Sequence, residues 1–331
     1  MTAVLPERDR AAEARATELE AQLTQLQREI DGLQRRADKD KLDFSPQIRE
    51  LETRAAEARE ALLANRQAWQ AVVLARHPQR PKAQDFIKTL LDDFTELHGD
   101  RLFRDDPAML AGVGWFEGRP VVAIGPHKGK DTKENIAHNF GMPYPEGYRK
   151  ALRAMRLAEK FGYPVISVVD TPAAFPGDGA EERGQAEAIA RNIEEMTRLR
   201  TPIVVAITGE GGSGGALAIA VGDVVVMLEH AIYTVIPPEG CAAILWRDAS
   251  RSREAAAALR LTAAELAALG IVDEVVPEPR GGAHLDPEAA IASVREALRR
   301  HVMRLVGLPV DELLRCRYAK YRAMGYYEER A

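Results

Sequence analysis

Thr201–Val221 reads TPIVVAITGEGGSGGALAIAV, and its parsing decides what fold the chain can form. Pro202–Thr208 is a short apolar, β-branched run, the pattern of a strand buried on both faces. It runs into Gly209-Glu210-Gly211-Gly212-Ser213-Gly214-Gly215, then into an Ala/Leu/Ile segment that reads as a buried helix. Five glycines in seven residues permit positive φ and let another molecule approach the main chain closely. A strand, a glycine loop and a helix start together aim backbone N–H groups at one point. Such a point favours negative charge, whether a phosphate or a developing oxyanion.

Three chemistries compete for this stretch. Gly209-x-Gly211-x-x-Gly214 fits the dinucleotide fingerprint, with Glu229 lying 20 residues beyond Gly209. Gly211-x-Ser213-x-Gly215 fits the nucleophile elbow of α/β-hydrolases. The third is an oxyanion hole built from backbone amides alone, with Gly214 and Gly215 as donors and no nucleophile. A glycine turn that only packs a helix on a sheet is the bland alternative.

Working outward, helix and strand alternate. A helix over Gly147–Phe161 precedes a strand over Pro164–Asp170, and a helix over Glu181–Leu199 precedes the glycine strand. Short strands are expected at Val224–Leu228, Ile232–Ile236 and Ile271–Val276, with a helix around Ala243–Trp246. Upstream, Val113–Phe116, the turn Glu117-Gly118 and Pro120–Gly125 read as a β-hairpin. An amphipathic helix over Ala83–Leu97 closes at Gly99 as a C-cap. The pattern is α/β with largely parallel pairing. Two strand–loop–helix units then stand in register, Asp170…Gly184 and Gly209…Gly215, and both loops are expected to face one site.

The ends differ from this middle. Leu19, Leu23, Leu26, Ile30 and Leu33 form a heptad-like seam that resumes at Ile48, Leu51, Ala55, Ala58 and Leu62. Ser45-Pro46 supplies an N-cap followed by proline at the first helical position. Residues 1–80 therefore read as a helical hairpin arm, ended by His77-Pro78-Gln79-Arg80-Pro81, and residues 81–331 as the main domain. The chain turns helical again from Arg253, including Leu285–Leu305.

The 331 residues are 46% hydrophobic and 29% charged with a formal charge of −5, which gives no nucleic-acid footprint. Two cysteines, Cys241 and Cys316, make neither a disulfide framework nor a cysteine metal site. No apolar run reaches the ~20 residues of a membrane span, and no signal-peptide core opens the chain. A cytoplasmic protein without membrane or nucleic-acid partners is the expectation. Lys128, Lys130 and Lys133 give one loop a basic character, for which an anionic ligand nearby is one reading and a solvated basic loop the commoner one.

The competing chemistries find unequal support. A dinucleotide fold places its fingerprint in the first βαβ unit, whereas over a hundred residues precede this one. A hydrolase using Ser213 needs an acid and a histidine downstream. Asp223, Asp273, His230, His284 and His301 are available, but no arrangement demands a triad. A backbone oxyanion hole needs no side-chain base.

Several segments in order, LARHPQRP (74–81), ELHGDR (96–101), NFGMPYPEGYRKALR (139–153), GAEERGQAEAIARN (179–192), GEGGSGGALAI (209–219), PPEGCAAILW (237–246) and PEPRGGAHLDPEA (277–289), carry a resemblance. The chain resembles, over nearly its whole length, the alpha-subunit family of the bacterial acetyl-coenzyme A carboxylase carboxyltransferase. The resemblance implies a crotonase/Clp-protease-like spiral of ββα units. It also implies transfer of a carboxyl group from carboxybiotin, held on a biotin carboxyl carrier protein, to acetyl-CoA, giving malonyl-CoA for fatty acid synthesis. The implied partners are a carboxyltransferase beta subunit in an α2β2 assembly and biotin carboxylase. Zinc is expected only on the four-cysteine finger of the beta partner, and no cofactor on this chain.

On this resemblance Gly214 and Gly215 fall on the family's oxyanion-hole glycines, and Gly211, Gly212 and Ser213 complete the motif. The loop Asp170-Thr171-Pro172-Ala173-Ala174-Phe175-Pro176-Gly177 departs from the family. Glycine is usual where Ala173 stands and tyrosine where Phe175 stands. Ala173, Phe175 and Gly177 are read as substrate-side neighbours, and Ala173 would be strained if its position required positive φ. The alternative remains a crotonase-fold or Clp-like hydrolase using Ser213.

Overall fold

A computed structural model describes residues 25–26, 28–36 and 43–325. The chain divides into two compact units. One comprises Met1–Gln70 with Pro237–Arg260, the other Ala71–Ile236 with Leu261–Ala331. Of the seam residues, Leu19 and Leu23 lie outside the described residues, while Leu33 sits in a helical stretch over 28–36.

In the first unit, Leu26, Ile30 and Ala55 of the seam are buried. The long helix Ser45–Ala75, whose residues up to Gln70 belong to this unit, follows, but its cap lies earlier than Ser45. Asp43 Oδ1 accepts the Ser45 N–H at 2.9 Å, and Phe44 carbonyl accepts that of Ile48. The helix Pro238–Trp246 and the helix Ser252–Leu259 belong to this unit. Arg251 lies 4.2 Å from the Trp246 ring and Arg253 5.8 Å from that of Trp69.

The second unit is built on eight strands. These are β1 (Asp92–Glu96), β2 (Met109–Phe116), β3 (Arg119–Pro126), β4 (Val165–Thr171), β5 (Ile203–Gly212), β6 (Val224–Leu228), β7 (Ile232–Thr234) and β8 (Glu274–Val276). They pair in the order β1-β2-β3-β4-β5-β6-β8, with β7 added to β5. The β1–β2 and β2–β3 pairs are antiparallel, and every pair from β3 onward is parallel. The β2–β3 turn holds Glu117 and Gly118 at φ 51° and 72°, the two left-handed residues that a two-residue hairpin needs to match strand twist.

All of β4 is buried, as is β5 apart from Glu210. Burial on both faces explains their unbroken Val/Ile character. Helices cover the sheet with strongly amphipathic faces: Tyr148, Ala151, Met155 and Ala158 of the helix Pro145–Phe161, and Ala188, Asn192 and Met196 of the helix Gln185–Arg198, are buried.

Three elements depart from expectation. The helix beginning at Ala83 ends at Leu90, not Leu97. Leu91 is extended, and Asp92–Glu96 pairs with β2 instead, its Phe94 and Thr95 suiting a sheet edge. Gly99 is accordingly no helix cap; at φ 76° it donates its N–H to Asp105 Oδ1 at 2.7 Å. The helix expected over Glu181–Leu199 is broken by Gly184 at φ 83° into Asp178–Glu182 and Gln185–Arg198. Most consequential, β5 runs through the glycines to Gly212. Its first half pairs with β6 and its second half with β7, where Gly211 opposes Tyr233.

Candidate active site

The glycine stretch is therefore strand as far as Gly212, and a single helical turn, Ser213–Leu217, begins at once. None of its five glycines adopts positive φ; the residue that does is Ser213, at 52°. The glycines are required by close approach instead. A Cβ on Gly211 would lie 2.8 Å from the Tyr233 ring, and one on Gly212 would overlap the Pro172 carbonyl. A Cβ on Gly215 would overlap the Ala173–Ala174 peptide and sit 2.8 Å from the Ala173 carbonyl oxygen. Gly214 differs, since its Cβ would make only ordinary contact with Ile189 at 3.6 Å. The two loops expected to share a site thus touch backbone to backbone. Gly214 and Gly215 lie in the first helical turn, where N–H groups have no acceptor within the helix.

A left-handed serine costs about 1–3 kcal/mol, which makes Ser213 the strained residue of the turn. It lacks the partners of a nucleophile. Among the described residues no histidine or carboxylate hydrogen-bonds its hydroxyl. The His301 ring pairs with Glu274 at 2.7 Å, the His284 ring lies tilted against that of His77 with centroids 3.9 Å apart, and the backbone N–H of His230 is given to Glu278. Asp223 is held by Arg317 and Asp273 by Lys320. Of the groups that a Ser213 hydrolase would draw on, His301, Asp223 and Asp273 are held by Glu274, Arg317 and Lys320 instead.

In the first loop Ala173 lies outside the left-handed region, so the strain considered for alanine there does not arise. Thr171 Oγ1 lies 2.7 Å from both the Ala173 and the Gly141 carbonyl oxygens, which share its one proton. The Phe175 ring packs on Tyr144 with centroids 4.4 Å apart, and its backbone is fixed by the Pro143 carbonyl and the Gln185 amide. Gly177 admits that ring: a Cβ there would be 2.5 Å from Phe175 Cε1. The loop is shaped by Phe175 without any phenol.

Sequence reasoning treated Lys128 as part of a solvated basic loop, and the fold places it otherwise. Its side chain is 12% exposed, and Nζ pairs with Asp170 Oδ1 at 2.7 Å and Glu210 Oε2 at 3.1 Å. Glu210 also accepts from Arg76 Nε at 2.7 Å. Nearby, Arg80 donates to the Thr208 carbonyl and forms a two-pronged pair with Glu278 at 3.0 and 2.5 Å. Burial alone would lower the Lys128 pKa, but the two carboxylates outweigh it and raise the ammonium above its usual range. For Glu210, burial acts to raise the carboxyl, and Lys128 and Arg76 overcome it to hold the pKa low. Lys128, Asp170, Glu210, Arg76 and Arg80 line an open cleft of about 230 Å³ together with His77, Lys82, Phe140 and Pro172. Lys128, Asp170 and Glu210 stand 42 and 40 residues apart in pairs, so no local spacing announces them. Their common signal is position: each follows or ends one of three adjacent strands on the carboxyl side, where parallel sheets place sites.

Elsewhere Glu96, His98 and Asp105 converge. The buried Lys150 ammonium already sits between Glu96 at 2.7 Å and Asp105 at 2.9 Å, so this grouping is an ion-pair network. Asp105 is brought down to about 2 because the Gly99 N–H and Lys150 outweigh its burial.

Comparison with known proteins gives the site its context. A family model described as acetyl co-enzyme A carboxylase carboxyltransferase-like matches residues 16–325. The acetyl-coenzyme A carboxylase carboxyl transferase subunit alpha of Syntrophotalea carbinolica is 55% identical over 291 residues, covering 88% of this chain and 92% of that one. The corresponding Thermus thermophilus subunit is 54% identical over 288 residues, covering 87% and 92%. Among solved structures, transcarboxylase 12S superposes with a TM-score of 0.55 at 19% identity, over 70% of this chain and 44% of that one. A Pseudomonas malonate decarboxylase hetero-tetramer in complex with coenzyme A gives 0.54 at 19%, over 66% and 89%. This chain spans less than half of the transcarboxylase subunit, and at such identities the likeness carries the fold alone: α/β, of the crotonase-like class. No helix among the described residues is long and apolar enough to cross a membrane. With a family model over residues 16–325 and relatives more than half identical along most of their length, the chain belongs to the acetyl-coenzyme A carboxylase carboxyltransferase family, among its alpha subunits.

Proposed function

We propose that this chain is the half of a carboxyltransferase that receives carboxybiotin, and that with a beta subunit it forms malonyl-CoA from acetyl-CoA. The observation that carries the reading is the backbone contact between the β4 and β5 loops. It leaves the first-turn amides of Gly214 and Gly215 at the junction of two strand ends. There they can donate to an oxygen on which negative charge develops.

The chemistry then follows from charge. When the N–CO₂⁻ bond of carboxybiotin breaks, its electron pair stays on the ureido group and CO₂ is released. The Gly214 and Gly215 N–H groups stabilise the ureido oxygen. The ureido anion takes the α-proton of acetyl-CoA, and the resulting enolate carbon bonds to CO₂, giving malonyl-CoA and neutral biotin. No side-chain base is needed. Losing one such amide donor typically costs about 3–4 kcal/mol, or about 10²–10³ in rate. Gly211 and Gly212 admit the neighbouring backbone, Ser213 sets the turn, and Ala173, Phe175 and Gly177 shape the facing loop.

The beta subunit would bring the second oxyanion hole, most of the CoA contacts and a zinc finger, and the carrier protein and biotin carboxylase would supply carboxybiotin in the cytoplasm. The test is reconstitution. This chain alone should be inactive, and its complex with a zinc-finger beta subunit should decarboxylate malonyl-CoA in the presence of biocytin. Gly214→Ala is the informative variant: it keeps the N–H, and its Cβ meets nothing in the chain closer than 3.6 Å, so the fold is retained and a fall in turnover reports the methyl crowding an oxygen that approaches this amide. A complex carrying it with undiminished turnover would sink the assignment of this turn.

A further inference from the structure

Lys128 leaves the end of β3 and reaches two carboxylates that belong to the next two strands. Asp170, the penultimate residue of β4, accepts on one oxygen both Lys128 Nζ at 2.7 Å and the backbone N–H of Glu210 at 3.1 Å. Glu210 immediately precedes Gly211, accepting from Lys128 on one side-chain oxygen and from Arg76 on the other. One ammonium therefore fixes a carboxylate that itself fixes the main chain one residue before the glycine turn. The surrounding residues make room for this arrangement. A Cβ on Gly209 would overlap the Asp170 carboxylate, and one on Gly141 would overlap the Lys128 stem. Gln84 caps the Lys128 carbonyl.

We infer that Lys128 is a positioning residue for the Gly211–Gly215 turn: through Asp170 it sets where the Gly214 and Gly215 amides point. A buried lysine placed for stability alone would need one partner, whereas this one joins three neighbouring strand ends and lies at a cleft. Loss of its charge leaves Asp170 and Glu210 facing each other without the ammonium that bridges them, with Arg76 on Glu210 and the Lys82 charge nearby as the remaining compensation. Like charges at that separation repel, and the Asp170–Glu210 backbone bond is the contact that yields. A displacement of about 1 Å in catalytic donors costs about 10²-fold in rate.

The inference deepens the proposed carboxyltransferase reading and rests on it for its kinetic arm, so a second arm stands apart from activity. In the kinetic arm, the α/β complex with Lys128→Met should lose about 10²-fold in kcat for malonyl-CoA decarboxylation while KM changes less than about threefold. Lys128→Arg should recover to within about tenfold of wild type. The double variant Lys128→Met/Glu210→Gln, which restores charge balance, should regain thermal stability but not kcat. In the second arm, amide hydrogen exchange across residues 210–215 of the isolated chain should quicken at least about tenfold in Lys128→Met and stay near wild type in Lys128→Arg. Unchanged kcat in Lys128→Met, or recovery of kcat together with stability in the double variant, would overturn the inference. Unchanged exchange at 210–215 would overturn it as well. Should the wild-type complex show no decarboxylation, the functional reading fails, and the exchange arm still decides the role of Lys128.

Discussion

Two buried cations anchor the main unit in opposite ways. Arg317, in the helix Val310–Arg322, is fully buried and spends every N–H: two on Asp223 at 2.8 and 2.7 Å, and the others on the carbonyls of Met196, Leu199 and Thr201 at 2.7–2.8 Å. Its partners are one carboxylate and three backbone ends, and Asp223 in turn accepts the Ile203 N–H at 2.7 Å. The group is closed. Lys128 instead bridges two carboxylates at an open cleft, with Arg76 also paired to Glu210. A planar five-donor guanidinium suits the first task, and a compact ammonium that shares its donors between two loops suits the second. The contrast separates a cation that holds a helix to the β5 end from one that tunes a working surface.

That contrast can be broken most forcefully at Arg317. Arg317→Met strands Asp223 and three carbonyls in a dry environment. Removing one partner of a buried pair typically costs about 3–5 kcal/mol. Denaturant unfolding should report a loss of that size. If the folded variant is recovered, its kcat should match wild type. A small stability loss with a large kinetic one would invert the roles assigned to the two cations.

Next in size is the pair Gly215→Ala and Gly214→Ala. The first drives a methyl into the Ala173–Ala174 backbone and should cost about 1–3 kcal/mol, since overpacking against main chain is not relieved by a rotamer change. The second should stay within about 0.5 kcal/mol of wild type in stability and lose at least about tenfold in turnover. Gly215→Ala confounds packing with chemistry, and a denaturation curve beside the kinetic assay shows the split.

The Lys128 cluster also has a pH signature. Glu210 is held below its ordinary 4.5, so its contribution to stability is present above that pH and is lost as pH falls through the lower folded value. Lys128 is held above its ordinary 10.5, so its contribution is present below that pH and is lost as pH rises through the raised value. Asp106 works in the opposite sense, because burial lifts it to about 6 and its charged form at neutral pH is a cost. Comparing wild type with Glu210→Gln cancels Asp106. The stability gap should be fully present above pH 4.5 and should close as pH falls through the lowered folded value. A gap that is independent of pH would mean that Glu210 acts by packing alone.

How far the sequence reached is instructive at particular residues. The parallel core was legible because Val165–Thr171 and Ile203–Ile207 are buried on both faces and carry no polar alternation. The β2–β3 hairpin was legible from Glu117-Gly118. The end of the helix at Leu90 was not, because Phe94 and Thr95 satisfy a helical spacing as well as a strand, and only pairing with β2 decides. Nor was the reason for the glycines. Their letters suggest left-handed turns, while the fold uses them for close approach and gives the left-handed φ to Ser213. Lys128 was hidden for a third reason: its partners come from separate loops, and a charge run in sequence carries no record of where each side chain ends.

The smallest effect gives the cleanest sign. Ala173 and Gly215 face one another across the two loops, yet Ala173 is not left-handed. Ala173→Gly therefore has no backbone strain to relieve. It should leave stability unchanged or lower it by up to about 1 kcal/mol through the added freedom of the unfolded chain. Were alanine strained there, the same change would raise stability by about as much. The sign of the shift in denaturation midpoint thus tells whether the β4 loop is relaxed against the glycine turn. A relaxed β4 loop leaves Ser213 as the one strained residue at this junction, and strain at a residue that sets amide direction is retained only where the surrounding contacts over-determine it. Those contacts are the ones that the Pro172 carbonyl, the Ala173–Ala174 peptide and the Lys128–Asp170–Glu210 bridge supply.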